Sequence, residues 1–243
     1  LGSAYALYYA LNEIGKVAEV ICPDIIPQKY DYFARKTDYV SRDNATIVAV
    51  DVADSNLLGA LKDEFADKVE LCIDHHISNT QYAKKLYLDS DAAAAAECIY
   101  DLIAYMRVNI NDITAKAIYT ALATDTGCFK YSNVTEKTHR IAASLYELNI
   151  DAPEINRLMF DTKSKKLLEL EKLVLDAAEF HFEDKCFLLP VTEEMQTKTG
   201  CSGTELESIA VISRSVEGVK VGVTLKQTAD EEFKVSLRTY EPF

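Results

Sequence analysis

Two short β-branched and apolar runs, at 46–50 and 69–73, each end on an aspartate, and between them apolar residues recur at helical spacing from Leu57 through Leu61 to Phe65. Strand, acid, helix, strand, acid is a βαβ unit. Such crossovers are right-handed and return the second strand parallel to the first, so Asp51 and Asp74 are expected to emerge on one edge of one sheet. In open α/β sheets ligands bind at that carboxyl edge. The pattern points to an α/β fold with a parallel sheet, and to where its chemistry would sit.

Asp74 is followed by His75 and His76, half of the chain's four histidines. Imidazole beside carboxylate suits a borderline divalent cation, although a polar loop with locally bonded histidines would read the same. A third acid comes from a helix at 115–123 that runs into Thr124-Asp125-Thr126-Gly127, presenting Asp125 on a glycine-bearing turn. Each acid also has a plain structural role. Asp51 or Asp54 would cap the following helix, and Asp125 would stabilise its turn with Gly127 left-handed. An aspartic-protease reading of Asp125-Thr126-Gly127 fails on context, because it occurs once and after a helix.

The segments TIVAVDVADSNLLG, LCIDHHISNT and ALATDTGCFKYSN together resemble, in order and separation, the motifs of the DHH phosphoesterase superfamily. The resemblance spans nearly the whole chain, and its oligoribonuclease and pAp-phosphatase branch implies an architecture. A parallel-sheet DHH lobe with helices on both faces would occupy residues 1–160, a connecting helix 161–178, and a smaller α/β DHHA1 lobe 179–243. In the second lobe a hairpin is expected at 180–191 and strands at 209–213, 220–225 and 233–238. The family's first motif, a histidine and two aspartates, would lie upstream of Leu1, with Leu1-Gly2-Ser3 resembling its tail. A glycine-rich loop would follow Phe243.

Carried over position by position, the resemblance implies that Asp51 bridges two divalent cations, expected to be manganese, and that His75 and Asp125 complete the second cation's shell. Asp74 is expected to orient His75. His76 would contact the scissile phosphate or the leaving group. Arg238 would grip a non-reacting phosphate with its guanidinium, while Ser132 and Asn133 would touch substrate or equally form a turn. The implied activity is metal-dependent hydrolysis of short oligoribonucleotides, of 3′-phosphoadenosine 5′-phosphate, or of both. Three alternatives stand beside it. One is a linear or cyclic dinucleotide phosphodiesterase; another is a manganese-type pyrophosphatase, whose basic Ser-Arg-Lys-Lys segment Ser213-Arg214-Ser215 matches poorly. The third is a nucleotide-binding regulator without catalytic metals.

Composition narrows the substrates. A net charge of −13 argues against gripping long duplex nucleic acid, which needs a basic track, but two cations and a few arginines can invert the field inside a pocket. Small nucleotides or short oligonucleotides are the expected partners, and a homodimer is left open. The six cysteines are scattered without close pairs, which excludes a zinc ribbon or CxxC site and suits a reducing cytoplasm. No apolar run is long enough to cross a bilayer. There is no GxGxxG or GxxxxGK(S/T), so neither a Rossmann site nor a P-loop is supported. Elsewhere a strand is expected at 17–22 ahead of Pro23, and an alanine-rich helix from Asp91 to Met106. Further helices are expected to start at Thr135 and Asp151, and a charged one to span 162–178.

Overall fold

The computed structural model describes residues 1–41, 43, 45–213 and 215–239, Thr204 in its backbone only. They form two compact units, one over Leu1–Thr162 and one that begins at Lys163.

The first unit opens with α1 (Gly2–Glu13) and builds a parallel sheet from β1 (Ile47–Val50), β2 (Val69–Asp74) and β3 (Lys85–Leu88), in that spatial order. Alternation of side chains along the strands divides the sheet into two faces. Val48, Val50, Leu71, Ile73 and Tyr87 join the main core. Ala49, Cys72 and Leu86 point the other way, into a small cluster with Val69, Val52 and Tyr82. Between β1 and β2 the chain makes 3-10 turns over Ser55–Leu61 and then α2 (Lys62–Phe65). The continuous helix expected there is broken at Gly59, whose φ of +56° no α-helix accommodates.

After β3, the buried segment Ala92–Ala94 leads into α3 (Ala95–Tyr105). The helix therefore starts later than Asp91, because Ala94 is fully extended at φ −156° and ψ 153°. Next come α4 (Asp112–Asp125), α5 (Glu136–Tyr146) and α6 (Ala152–Asn156), the last two capped by Thr135 and Asp151 as the sequence indicates. A Cβ on Gly2 would run into the Ala117 carbonyl, so glycine is what lets α1 approach α4 so closely.

No strand forms at 17–22. A β-branched run becomes a strand only where a neighbouring edge supplies ladder partners, and here the Val20 amide donates to the Thr37 hydroxyl instead, at 3.2 Å. Val17 is 78% exposed, the opposite of what its strand-like setting suggests.

In the second unit α7 (Lys165–Asp176) buries Leu167, Leu170 and Val174 in that unit's core, so the helix expected to connect the lobes packs as part of the second. A mixed sheet follows in the order β4 (Glu179–His181), β5 (Cys186–Val191), β6 (Val221–Ala229), β7 (Glu232–Thr239). Helices α8 (Glu193–Thr199) and α9 (Thr204–Ile212) lie between β5 and β6 in sequence. Residues 209–213, expected as a strand, lie mostly in α9. Leu206, Ile209 and Ala210 are buried at helical spacing, and that periodicity outweighs the β propensity of Ile209, Val211 and Ile212. Arg214 of the Ser213-Arg214-Ser215 segment and the chain beyond Thr239 lie outside the described residues. Among the described residues no helix is long and apolar enough to cross a membrane.

Candidate active site

β1 and β2 end side by side, and the Asp51 amide donates to the Ile73 carbonyl at 2.9 Å, which fixes where the Asp51 side chain starts. Asp51 adopts φ +63°, a left-handed conformation that aspartate tolerates better than most residues. Of the two acids able to cap the following turn, Asp54 does so, accepting the Asn56 amide at 2.7 Å. Asp51 is released from that role. Its Oδ1 is buried and accepts no hydrogen bond.

Both histidines face that oxygen. His75 Nε2 is 3.6 Å from Asp51 Oδ1 and 3.8 Å from Asp125 Oδ2, and His76 Nδ1 is 3.7 Å from Asp51 Oδ1. His75 Nδ1 lies 3.0 Å from the Ala92 carbonyl, and a carbonyl oxygen only accepts, so Nδ1 carries the proton. The lone pair of Nε2 is thereby aimed between Asp51 and Asp125. Asp125 is the last residue of α4 rather than part of a free turn, and the helix delivers its carboxylate to His75.

Asp74 does something other than expected. Its fully buried carboxylate accepts from the His75 backbone amide at 2.8 Å, from His76 Nδ1 at 2.8 Å and from Asn79 Nδ2 at 2.6 Å. It therefore orients the ring of His76, while the ring of His75 is set by a backbone carbonyl. A two-residue reach from Asp74 suits His76, whereas His75 turns its ring away toward Ala92. Burial works against the charge on Asp74, but the bonds from Asn79, His76 and His75 outweigh it and hold the carboxyl below its ordinary range. Burial likewise disfavours charge on His76, and its bond to Asp74 more than reverses this, raising its pKa. Asp125 behaves oppositely. Burial first, then the Asp51 carboxylate, push it up to about 6 against the pull of His75.

The donor set fits a divalent cation. His75 Nε2 lies 3.6 Å from Asp51 Oδ1 and 3.8 Å from Asp125 Oδ2, and a buried carboxylate oxygen without a donor, beside a second carboxylate repelled by it, is a site lacking positive charge.

The remaining sequence candidates are less concentrated. Asn133 donates from Nδ2 to the Ala93 carbonyl at 2.8 Å and to the Asp125 carbonyl at 3.3 Å, tying the end of α4 to the alanine segment. Ser132 beside it is exposed. Arg238 lies on β7 in the second unit, exposed, with Nη1 donating to the Leu237 carbonyl at 3.1 Å. His139 stacks on Phe129, and His181, in the second unit, pairs with Glu179. Two participants escaped the sequence reading. Asn79 sits inside the quoted LCIDHHISNT segment, and the need of a buried Asp74 for donors was the available clue. The Ala92 carbonyl leaves no trace in residue type.

A family model described as DHH family, N-terminal domain, matches residues 1–124. The bifunctional oligoribonuclease and PAP phosphatase NrnA of Thermus thermophilus is 31% identical over 248 residues, covering 98% of this chain and 72% of that protein. The Bacillus subtilis protein of the same name is 22% identical over 214 residues, 87% of this chain and 67% of its own length. Among solved structures, an exopolyphosphatase-related protein from Bacteroides fragilis superposes with a TM-score of 0.86 at 24% identity, over 98% of this chain and 74% of that one.

Proposed function

This chain belongs to the DHH family, and on that premise we propose that it is a phosphoric ester hydrolase that degrades short oligoribonucleotides and removes the 3′-phosphate of 3′-phosphoadenosine 5′-phosphate. The observation that carries the reading is the Asp51 oxygen, buried and without a donor, facing two imidazoles and a second carboxylate on the sheet's carboxyl edge. The Thermus and Bacillus relatives named for these two substrates support the choice of ester.

In this reading Asp51, His75 and Asp125 would hold two divalent cations, manganese first among them. Such cations would offset phosphate charge and make a bound water acidic enough to attack near neutral pH. The protein's own groups do the rest. His75 offers Nε2 because its other nitrogen is occupied by Ala92. His76, whose pKa is raised by its bond to Asp74, presents its outer nitrogen from a half-exposed ring and can hand a proton to the leaving oxygen. Arg238 and the second unit, in the role of a DHHA1 substrate lobe, would hold a non-reacting phosphate, with Ser132 and Asn133 beside the reacting one. All six cysteines are free, which suits a reducing cytoplasm.

The test is turnover by full-length protein in manganese of four substrates: 3′-phosphoadenosine 5′-phosphate, a linear diribonucleotide, a cyclic dinucleotide and pyrophosphate. Release of adenosine 5′-monophosphate from the first and of mononucleotides from the second is expected. Preference for pyrophosphate or for the cyclic compound, or nucleotide binding without turnover, overturns the reading.

A further inference from the structure

The His75 ring is set by the Ala92 carbonyl, and Ala92 belongs to a run, Ala92–Ala96, that is almost entirely buried and has no side-chain polar group to anchor it. Its two ends are anchored from outside. At the near end Asp89 donates its amide to the Asp74 carbonyl at 3.1 Å and accepts the Ala92 amide at 3.2 Å, so it starts the turn. At the far end Glu97, in the first turn of α3, is completely buried. The first turn of α5 supplies the link. Lys137 Nζ lies 3.7 Å from Asp89 Oδ2, 3.8 Å from Glu97 Oε2 and 2.8 Å from Asp101 Oδ2. Thr138 donates its hydroxyl to Glu97 Oε1 at 2.6 Å, and Glu97 Oε2 has no hydrogen-bond partner.

A buried carboxylate with an unfilled oxygen is a poor device for stability, since an apolar residue of similar volume would do as well or better. It makes sense as a device for position. Resting on the proposed metal site, we infer that Lys137 and Glu97 are positioning residues for His75. They clamp both ends of the alanine segment, and through the Ala92 carbonyl they fix which nitrogen of His75 bears the proton and where Nε2 points. Groups that orient a ligating imidazole in this way typically alter cation affinity by about 10- to 100-fold when removed.

The experiment compares K137M, K137R and E97Q with wild type, first as metal-free protein. Nitrogen-15 NMR of the imidazoles reads the His75 Nδ1–H, with His139 and His181 as internal references, and calorimetric titration then reads manganese affinity. K137M and E97Q should shift or broaden the His75 Nδ1–H signal while leaving the references in place, and should weaken manganese binding about 10-fold or more. K137R, which keeps the charge, should restore both. An unchanged His75 signal and manganese affinity within about twofold of wild type in K137M and E97Q overturn the inference. If E97Q does not fold, the K137M and K137R pair decides alone, because Lys137 is 40% exposed and its loss leaves no cavity. Absence of manganese binding by wild type would instead count against the metal site, and the metal-free imidazole spectra still separate the two failures.

Discussion

The buried carboxylate of Asp74 accepts a hydrogen bond from Nδ1 of His76 at 2.8 Å while its other oxygen is held by Asn79 at 2.6 Å. Asp74→Asn would place an amide nitrogen against one of these donors. The variant should lose about 2–3 kcal/mol in urea unfolding, the penalty for unmatched buried polar groups. The bond also raises the His76 pKa, so Asp74→Asn should lower kcat as well.

His76→Ala should lower kcat by about 10²- to 10³-fold, the usual contribution of a positioned proton donor, and leave manganese affinity close to wild type. Comparable losses of both would make His76 a ligand rather than an acid.

Asp51→Asn keeps the shape and the left-handed backbone but removes a charge that has no donor and that repels Asp125. The metal-free variant should be more stable than wild type by roughly 0.5–1 kcal/mol, as when function-related strain is relieved. Manganese should no longer raise its Tm, because a ligand that binds only the native state stabilises through that binding. Asp51→Ala should lack the stability gain, since alanine at φ +63° costs about 1–2 kcal/mol.

The pH dependence of the metal-free protein should carry the signature of Asp125, raised to about 6 by burial and by Asp51. A folded-state pKa above the unfolded one means that the group's contribution is fully present below the ordinary carboxylate range and is lost as pH rises through about 6. Wild type should therefore lose on the order of 1–3 kcal/mol between pH 4 and 7 from this group. Asp125→Asn should flatten that slope in chemical denaturation, and saturating manganese should reverse it.

Gly127 has φ +56°, and a Cβ there would enter the ring of Tyr131. Gly127→Ala should cost about 2 kcal/mol or more, the sum of a left-handed alanine and a clash, and should displace the end of α4 that carries Asp125. Thermal melting measures the first effect and manganese titration the second.

Much of the fold and of the site was legible because it depends on periodicity. The β1–β2 unit, the caps at Thr135 and Asp151 and the β4–β5 hairpin follow from alternation, helical spacing and short polar side chains at element ends. The misreadings have a common cause. Val17, Val20, Ile21, Ile209 and Ile212 carry β-branched side chains, and a side chain's preference for a pleated surface does not create a neighbouring strand. In α9 the burial of Leu206 and Ile209 decided for helix, while at 17–22 the Thr37 hydroxyl took the Val20 amide.

By itself the sequence determined that acids and imidazoles would emerge on one edge of a parallel sheet, because strand order and crossover hand leave them no other place. Only the tertiary structure decided what each does. The proton on His75 is set by a backbone carbonyl at Ala92, the grip of Asp74 falls on His76, and the free oxygen of Asp51 results from Asp54 taking the cap. These are relationships between atoms that every residue carries, or competition between like residues for one donor, and residue identity does not encode who wins.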